Sequence, residues 1–562
     1  MAELVLGPLL RYVGKTDATV WVETDAASDV EVLGHVARTF CVEGHHYALV
    51  MLEGLEPGSS QEYEVHLDGE RVWPEEDSEF PPSVLRTFRE GEQIELVFGS
   101  CRVTAPHEPP YTRPKEEDEE HARGYDALHA LALSLLDADD PRYPDVIFMC
   151  GDQVYADEVS PQTLEFIRGR EGRPPNAPDD EVCDFEEYTR LYREAWSDPV
   201  IRWLLSTVSS SMVIDDHDMH DDWNISQVWH ERMARESWWR HRETGGMIAY
   251  WIYQFIGNLS PSELEERPLW NEVREADDAG PRLREYMMKD DQEREGKRWC
   301  FYRDLGDARL IVVDARTGRC LERGDRKIID DDEWDWVVER ATGGEFTHLI
   351  FGTSDPYLLA PAFHNLEAWN EKVCDGAWGV TAARLGEWLR QALDFDHWAA
   401  FEDSFLRLTR LIEEVGSGRH GREPATIGVL SGDVHHAYLM EVAFRRDARV
   451  RSLVYQGVCS PYRNALDDHE RRAVKLACSA PAARATLGLA RAAGVKDPGI
   501  RWRFAEGPFF DNQVATLSIE GPRASMKLEK VPHDDDGTDE RLELAFERHL
   551  TEAVSPSAGS RA

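Results

Sequence analysis

Apolar and polar residues alternate in short runs through residues 1–90. Ala18–Thr24, Val30–Val36, His46–Leu52 and Glu62–Leu67 each show a period of two, and Gly54, Pro57 and Gly58 punctuate the third gap. A strand with one buried face has this period, so a small β-sandwich is predicted. The acidic, Pro-rich stretch Pro74–Pro82 leads out of it. From Ile94 the pattern changes to compact apolar runs at Ile94–Phe98, Val146–Met149, Met212–Ile214, Leu310–Val313, Leu349–Phe351 and Ile427–Leu430, with helical stretches between. One such stretch opens at Thr381 and places Leu385, Trp388, Leu389 and Ala392 on one face. Strand and helix alternating in this way predict a large α/β domain with buried sheets. Later strands are predicted at Gln513–Ile519 and Ala524–Glu529. An acidic turn, HDDDGTDE, a helix over 541–550 and a disordered Ser/Pro/Ala/Gly tail follow. The predicted division is 1–90, 91–532 and a C-terminal extension over 533–562.

Composition narrows the classes of function. The chain of 562 residues carries 63 Lys and Arg against 107 Asp and Glu, a formal charge of −44, with 42% hydrophobic residues and 18 Trp. That supplies a large core and excludes a disordered chain. It also predicts long-range repulsion of nucleic acid and anionic membrane, with no Lys/Arg cluster read as reversing it. The longest apolar stretch, Met247–Leu259, contains Gln254 and Asn258 and is too short for the ~20 residues a bilayer span needs. The nine Cys form no CxxC pair, and the opening residues carry neither a secretory nor a twin-Arg signal, so a cytoplasmic protein is expected.

Chemistry concentrates just after the apolar runs. The segments are FGSCR, CGDQVYAD, IDDHDMHDDWN, VVDARTGR and LSGDVHHA. Loops at the carboxyl ends of strands converge on one edge of an α/β sheet. Gly151 permits a tight turn before Asp152, whose carboxylate can bridge two cations, and Tyr155 can reach the same point. Taken singly, a Gly-Asp pair after a strand reads more simply as a turn. Asp215–Asp222 holds seven ionisable side chains in DDHDMHDD, a crowding of like charge that calls for a counter-cation unless the loop is solvated. Asp433 and His435 alternate off an extended segment and face one way, a pair suited to a transition metal. Cys101 ends the first α/β strand, where a thiolate can ligate; Cys150 and His436 read as structural.

FGSC, GDQVYAD, DDHD and SGDVHH in this order resemble the alkaline phosphatase D (PhoD) branch of the calcineurin-like metallophosphoesterases, related to purple acid phosphatases, from about Gly7 to about Lys530. Ordinary superfamily members begin with an Asp-x-His pair, then GD, GNH and GHxH; here Ser100–Cys101, Asp216 and Asp433 replace three of those positions. The resemblance implies two packed sheets flanked by helices, preceded by a fibronectin-III-like sandwich. It implies that Cys101, Tyr155 and His435 bind Fe³⁺, that Asp152 bridges, and that Asp216 and Asp433 hold one or two divalent cations. Carboxylates at the second site suit Ca²⁺. The superfamily's additional His has no clear counterpart; Ser354–Asp355 lies in the corresponding part of the chain.

The expected reaction is hydrolysis of small phosphate esters by in-line attack of a metal-bound hydroxide. His217 is the candidate proton donor and Asp218 the residue that orients it. Arg316 and Arg319 are candidates for holding substrate phosphate, with internal salt bridges as the other reading. Two further functions stay open: a phosphodiesterase for lipid head groups or nucleic acid, and a non-catalytic binding protein on the same fold.

Overall fold

Two sheets carry the strands on which the predicted ligand segments end. The computed structural model describes residues 2–115, 117, 121–289, 297–532 and 540–551. The first sheet has six strands in the order Ser209–Met212, Val146–Met149, Ile94–Gly99, Gln513–Glu520, Arg523–Lys530, Glu543–His549. Its first three strands are parallel and the rest antiparallel. The second has seven, in the order Phe301–Leu305, Ala308–Val312, His348–Gly352, Thr426–Ser431, Leu453–Val458, Ala437–Phe444, Ile500–Phe509. The sheets pack face to face so closely that a Cβ on Gly352 would lie 2.6 Å from the Phe148 ring. Val146–Met149, His348–Gly352 and Thr426–Ser431 are buried along their whole length, as strands covered on both sides require.

Ahead of this core, two four-stranded antiparallel sheets stack: Leu4–Val13, Asp17–Thr24, His45–Glu53 and Phe40–Val42 in one, His35–Arg38, Asp29–Val32, Val65–Leu67 and Glu70–Trp73 in the other. The run Val30–Val36 is split by a turn at Leu33–Gly34, where both φ angles are positive. Arg11, fully buried on the first strand, donates to the carbonyls of Tyr253 and Gln254. Those residues belong to a π-helical turn, Tyr250–Phe255, that interrupts the apolar stretch read above. No described helix is long and apolar enough to cross a membrane.

Three elements differ from expectation. The strand predicted at Met212–Ile214 spans Ser209–Met212, in register with Val146–Met149. Its polarity is satisfied internally, Ser209 donating to the Arg11 carbonyl at 2.6 Å and Arg303 to the Ser210 carbonyl at 2.9 Å. The helix predicted over 541–550 is instead the strand Glu543–His549, which closes the open edge of Arg523–Lys530 and is held by Arg548 on Glu441 and Glu506. Helix Val380–Ala392 forms, but Leu385 and Trp388 face outward, and Ala383 and Gly386 make its buried side. Small residues let it approach the neighbouring helix Pro361–Cys374, so the apolar stripe is left outside. The acidic turn over 533–539 and the tail over 552–562 lie outside the described residues.

Candidate metal centre

Strand ends from both sheets meet at one edge, and their geometry there is unusual. Cys101, Asp152, Asp433 and His435 all hold φ between +50° and +67°, a conformation costly for side chains other than Gly and concentrated at functional sites. The turns are also tight. A Cβ on Gly151 would lie 2.6 Å from Asp215 Cβ, and one on Gly432 would lie 2.0 Å from Ser100 Oγ. Ser100 Oγ in turn accepts from the Asp433 amide at 2.9 Å, tying the first strand end to the last.

Two ligand clusters share one residue. Donor atoms of Cys101, Asp152 and His435 lie within 4.8 Å of one another, as do those of Asp152, Asp215 and Asp216. The Tyr155 hydroxyl donates to Asp152 Oδ2 at 3.3 Å and accepts from Asn464 Nδ2 at 3.3 Å. Asp433 places its Oδ2 2.8 Å from His397 Nε2. All six residues expected to hold metal are thus brought to one locus.

The donor set fits cations. Asp152 Oδ1, Asp215 Oδ2 and Asp216 Oδ1 are buried and have no hydrogen-bond partner, a state that costs several kcal/mol for a charged oxygen unless a cation meets it. Burial, reinforced by neighbouring acids, pushes Asp152, Tyr155 and Cys101 above their ordinary ranges, and burial pushes His435 down to about 3. A bound cation inverts this ordering for the acids, because it favours the ionised forms. A thiol, a phenol and an imidazole gather at one end and only carboxylates at the other, the division expected of a softer and a harder ion.

The proton-handling residues differ from the sequence reading. His217 Nδ1 lies 2.9 Å from Asp157 Oδ1, and the Tyr155 ring stacks on the imidazole at 4.5 Å. Burial opposes the charged imidazole, yet Asp157 raises His217 well above its usual range. Asp157 is therefore the orienting carboxylate in place of Asp218. Asp218 accepts instead from the amides of Asp152, Gln153, Val154 and Asp215 at 3.0–3.1 Å and from Gln254 Nε2 at 3.2 Å. It fastens the two acidic loops to each other and to the π-helical turn.

Arg316 and Arg319 also require correction. Both are buried and engaged by internal carboxylates. Arg316 pairs with Asp215 at 2.5 Å, with Asp355 at 2.9 Å and with Asp396, and lies 3.5 Å from Asp216 and Asp433. Arg319 pairs with Asp355 at 2.6 Å. They compensate the carboxylates rather than face a substrate phosphate. Beyond Asp157, sequence reasoning passed over His397 and Glu367, whose carboxylate lies 2.8 Å from His397 Nδ1, and Asn464. Only Asp157 stood in a motif, at the end of QVYAD.

Comparison with known proteins bears on the fold and on the class of reaction. A family model described as PhoD-like phosphatase matches residues 124–323, which include Asp152, Tyr155, Asp216 and His217. Residues 124–323 thus form a PhoD-like phosphatase domain. The chain is accordingly a phosphoric ester hydrolase. A domain of unknown function, DUF7800, matches residues 1–85. Among solved structures, PhoD is similar at 12% identity and a TM-score of 0.56, covering 98% of this chain and 93% of that one. Purple acid phosphatase PPD1 from yellow lupin (Lupinus luteus) seeds is similar at 12% identity and a TM-score of 0.49, covering 96% and 73%. No curated protein sequence matches. The PhoD-like family and the PhoD fold account for the α/β core and for a metal-dependent phosphoesterase.

Proposed function

We propose that the chain hydrolyses small phosphate esters at a dinuclear centre. Cys101, Tyr155 and His435 would hold Fe³⁺, Asp216 and Asp433 would hold Ca²⁺, and Asp152 would belong to both. The observation that carries this reading is Asp152, shared by the two clusters, with one oxygen buried and unpartnered.

Bound cations would supply Lewis-acid charge for the attacking water and the phosphoryl oxygens. The protein's own residues do the rest. His217, held by Asp157 and raised in pKa, keeps a proton at Nε2, which faces away from Asp157 and is 3.9 Å from Asp221 Oδ1. From there it can be delivered to the leaving oxygen. Asp218 keeps the Asp152 and Asp216 loops in register, and His397, backed by Glu367, orients Asp433. Arg316 offsets part of the carboxylate charge, leaving a site that remains net acidic and so selects cations.

Replacing Asp152 with Ala tests the reading: bound metal and hydrolysis of chromogenic phosphomonoesters and phosphodiesters should fall together. Full activity in that variant would remove the centre from the account. The ratio of diester to monoester turnover decides between a general phosphatase and a phosphodiesterase.

A further inference from the structure

The helical layer outside the seven-stranded sheet presents a surface that the metal centre does not use. Helix Pro361–Cys374 lies between Val380–Ala392 and Ala480–Ala493. Asn370 Nδ2 donates to the Gly386 carbonyl at 2.8 Å, and Asn365 Nδ2 to the Ala483 carbonyl at 3.3 Å. Trp378, in the connecting loop, reaches the Ala492 carbonyl at 3.5 Å and so joins the two outer helices. Small residues make the inward contacts of both, and the large apolar side chains turn to solvent. Leu385 and Trp388 are each 64% exposed and Val380 66%; Leu476, on the adjoining helix Asp468–Ala477, is 67% exposed.

Charge marks the same surface. Residues 471–496 contain Arg471, Arg472, Lys475, Arg484, Arg491 and Lys496 and no acid, in a chain with 107 acidic residues. The sequence reading of a protein without a basic cluster overlooked this stretch because the basic residues are spaced along helices rather than consecutive. Neither Val380–Ala392 nor Ala480–Ala493 exposes a carboxylate: Glu387, the one acid in them, is turned inward toward Ser226 and Arg390. Exposed Trp and Leu bordered by Arg and Lys form the pattern of a surface that lies in a membrane interface, with apolar side chains entering the headgroup boundary and cations meeting lipid phosphate.

We propose that this face docks on an anionic phospholipid bilayer. A second copy of the chain fits poorly, since a two-fold contact would bring Arg484, Arg491 and Lys475 against their own counterparts. Nucleic acid would leave Val380, Leu385 and Leu476 without apolar contact. The net charge of −44 acts weakly on the contact at physiological ionic strength, because screening acts over about 8 Å; of the nearer acids, Asp468 is paired with Arg472 and Glu402 with Lys496. Docking also has a consequence for the centre. The Val380–Ala392 helix runs through exposed Leu393 into Asp394, Asp396 and His397, and His397 touches Asp433, so the docked helix is joined by five residues of chain to a contact of the metal site. The docking reading does not depend on the hydrolase reading, because binding is measured without turnover.

Sedimentation of the full chain with vesicles tests it. The protein should partition onto phosphatidylcholine–phosphatidylglycerol vesicles, not onto phosphatidylcholine alone, and added salt should release it. Arg484→Gln with Arg491→Gln should lower partitioning about thirtyfold, from two surface charges. Trp388→Ser should weaken binding and diminish the blue shift of Trp emission on vesicle addition. Hydrolysis of a soluble ester by these variants should equal that of the parent, which reports an intact fold. Equal partitioning of parent and variants, binding to DNA without binding to vesicles, or self-association abolished by Trp388→Ser would each overturn the proposal.

Discussion

Asp157 and Asp218 show how two carboxylates of one site divide the work. Asp157 faces an imidazole, and Asp218 faces four backbone amides. Asp157→Asn should leave metal content unchanged and lower turnover by about two orders of magnitude, as loss of a tuned proton donor does; metal analysis beside single-turnover kinetics checks it. Asp218→Asn keeps the size of the side chain but replaces one acceptor oxygen with a donor. It should cost about 2–3 kcal/mol of unfolding free energy through orphaned amides, read by denaturant titration. The sequence reading paired Asp218 with His217 by nearness along the chain. The turn reverses that, because Asp218 folds back on its own loop and the imidazole points to the GDQVYAD segment.

At the scale of elements, the legible part of the centre is the part that hangs on strands. An apolar run followed by Gly-Asp or Asp-Asp-His marks a strand end, so Cys101, Asp152, Asp216 and Asp433 could be placed on one edge from pattern alone. His397 and Glu367 could not, because one follows a helix and the other lies within a second helix, and neither stands in a motif. Likewise the sequence over 541–550 predicts a helix because so short a stretch supports either period, and only the unpaired edge of Arg523–Lys530 selects the strand Glu543–His549. The Leu385–Trp388 stripe is legible as one face of a helix, but a helical pattern shows which residues share a face and not which way that face turns. The strand ends themselves permit a sharp prediction. Gly432→Ala would drive a Cβ into Ser100 and should cost about 1–3 kcal/mol, the range for overpacking. Ser100→Gly should restore part of it, and thermal melts of both single variants and the double variant check the coupling.

Across the whole molecule, the first module is pinned to the core by polar contacts, one of which is only half-buried. His45 lies 2.8 Å from Glu186 of helix Phe185–Trp196 and 3.4 Å from Glu23 of its own module. Burial opposes its charge, but the two carboxylates raise its pKa to about 9. A raised value means that the stabilisation is fully present below the unfolded value of about 6.5 and is lost as pH rises through about 9. With partial exposure discounted, roughly 1 kcal/mol is at stake. His45→Gln should therefore flatten the fall in unfolding free energy between those pH values, measured by urea titration.

The whole account rests on a cation held between Cys101, Tyr155, His435 and Asp152. The visible absorption spectrum of the purified, metal-analysed protein tests it most directly, since phenolate bound to Fe³⁺ gives a charge-transfer band. The account predicts iron in the protein and a band that Tyr155→Phe abolishes. A colourless, iron-free protein with full hydrolytic activity would contradict it.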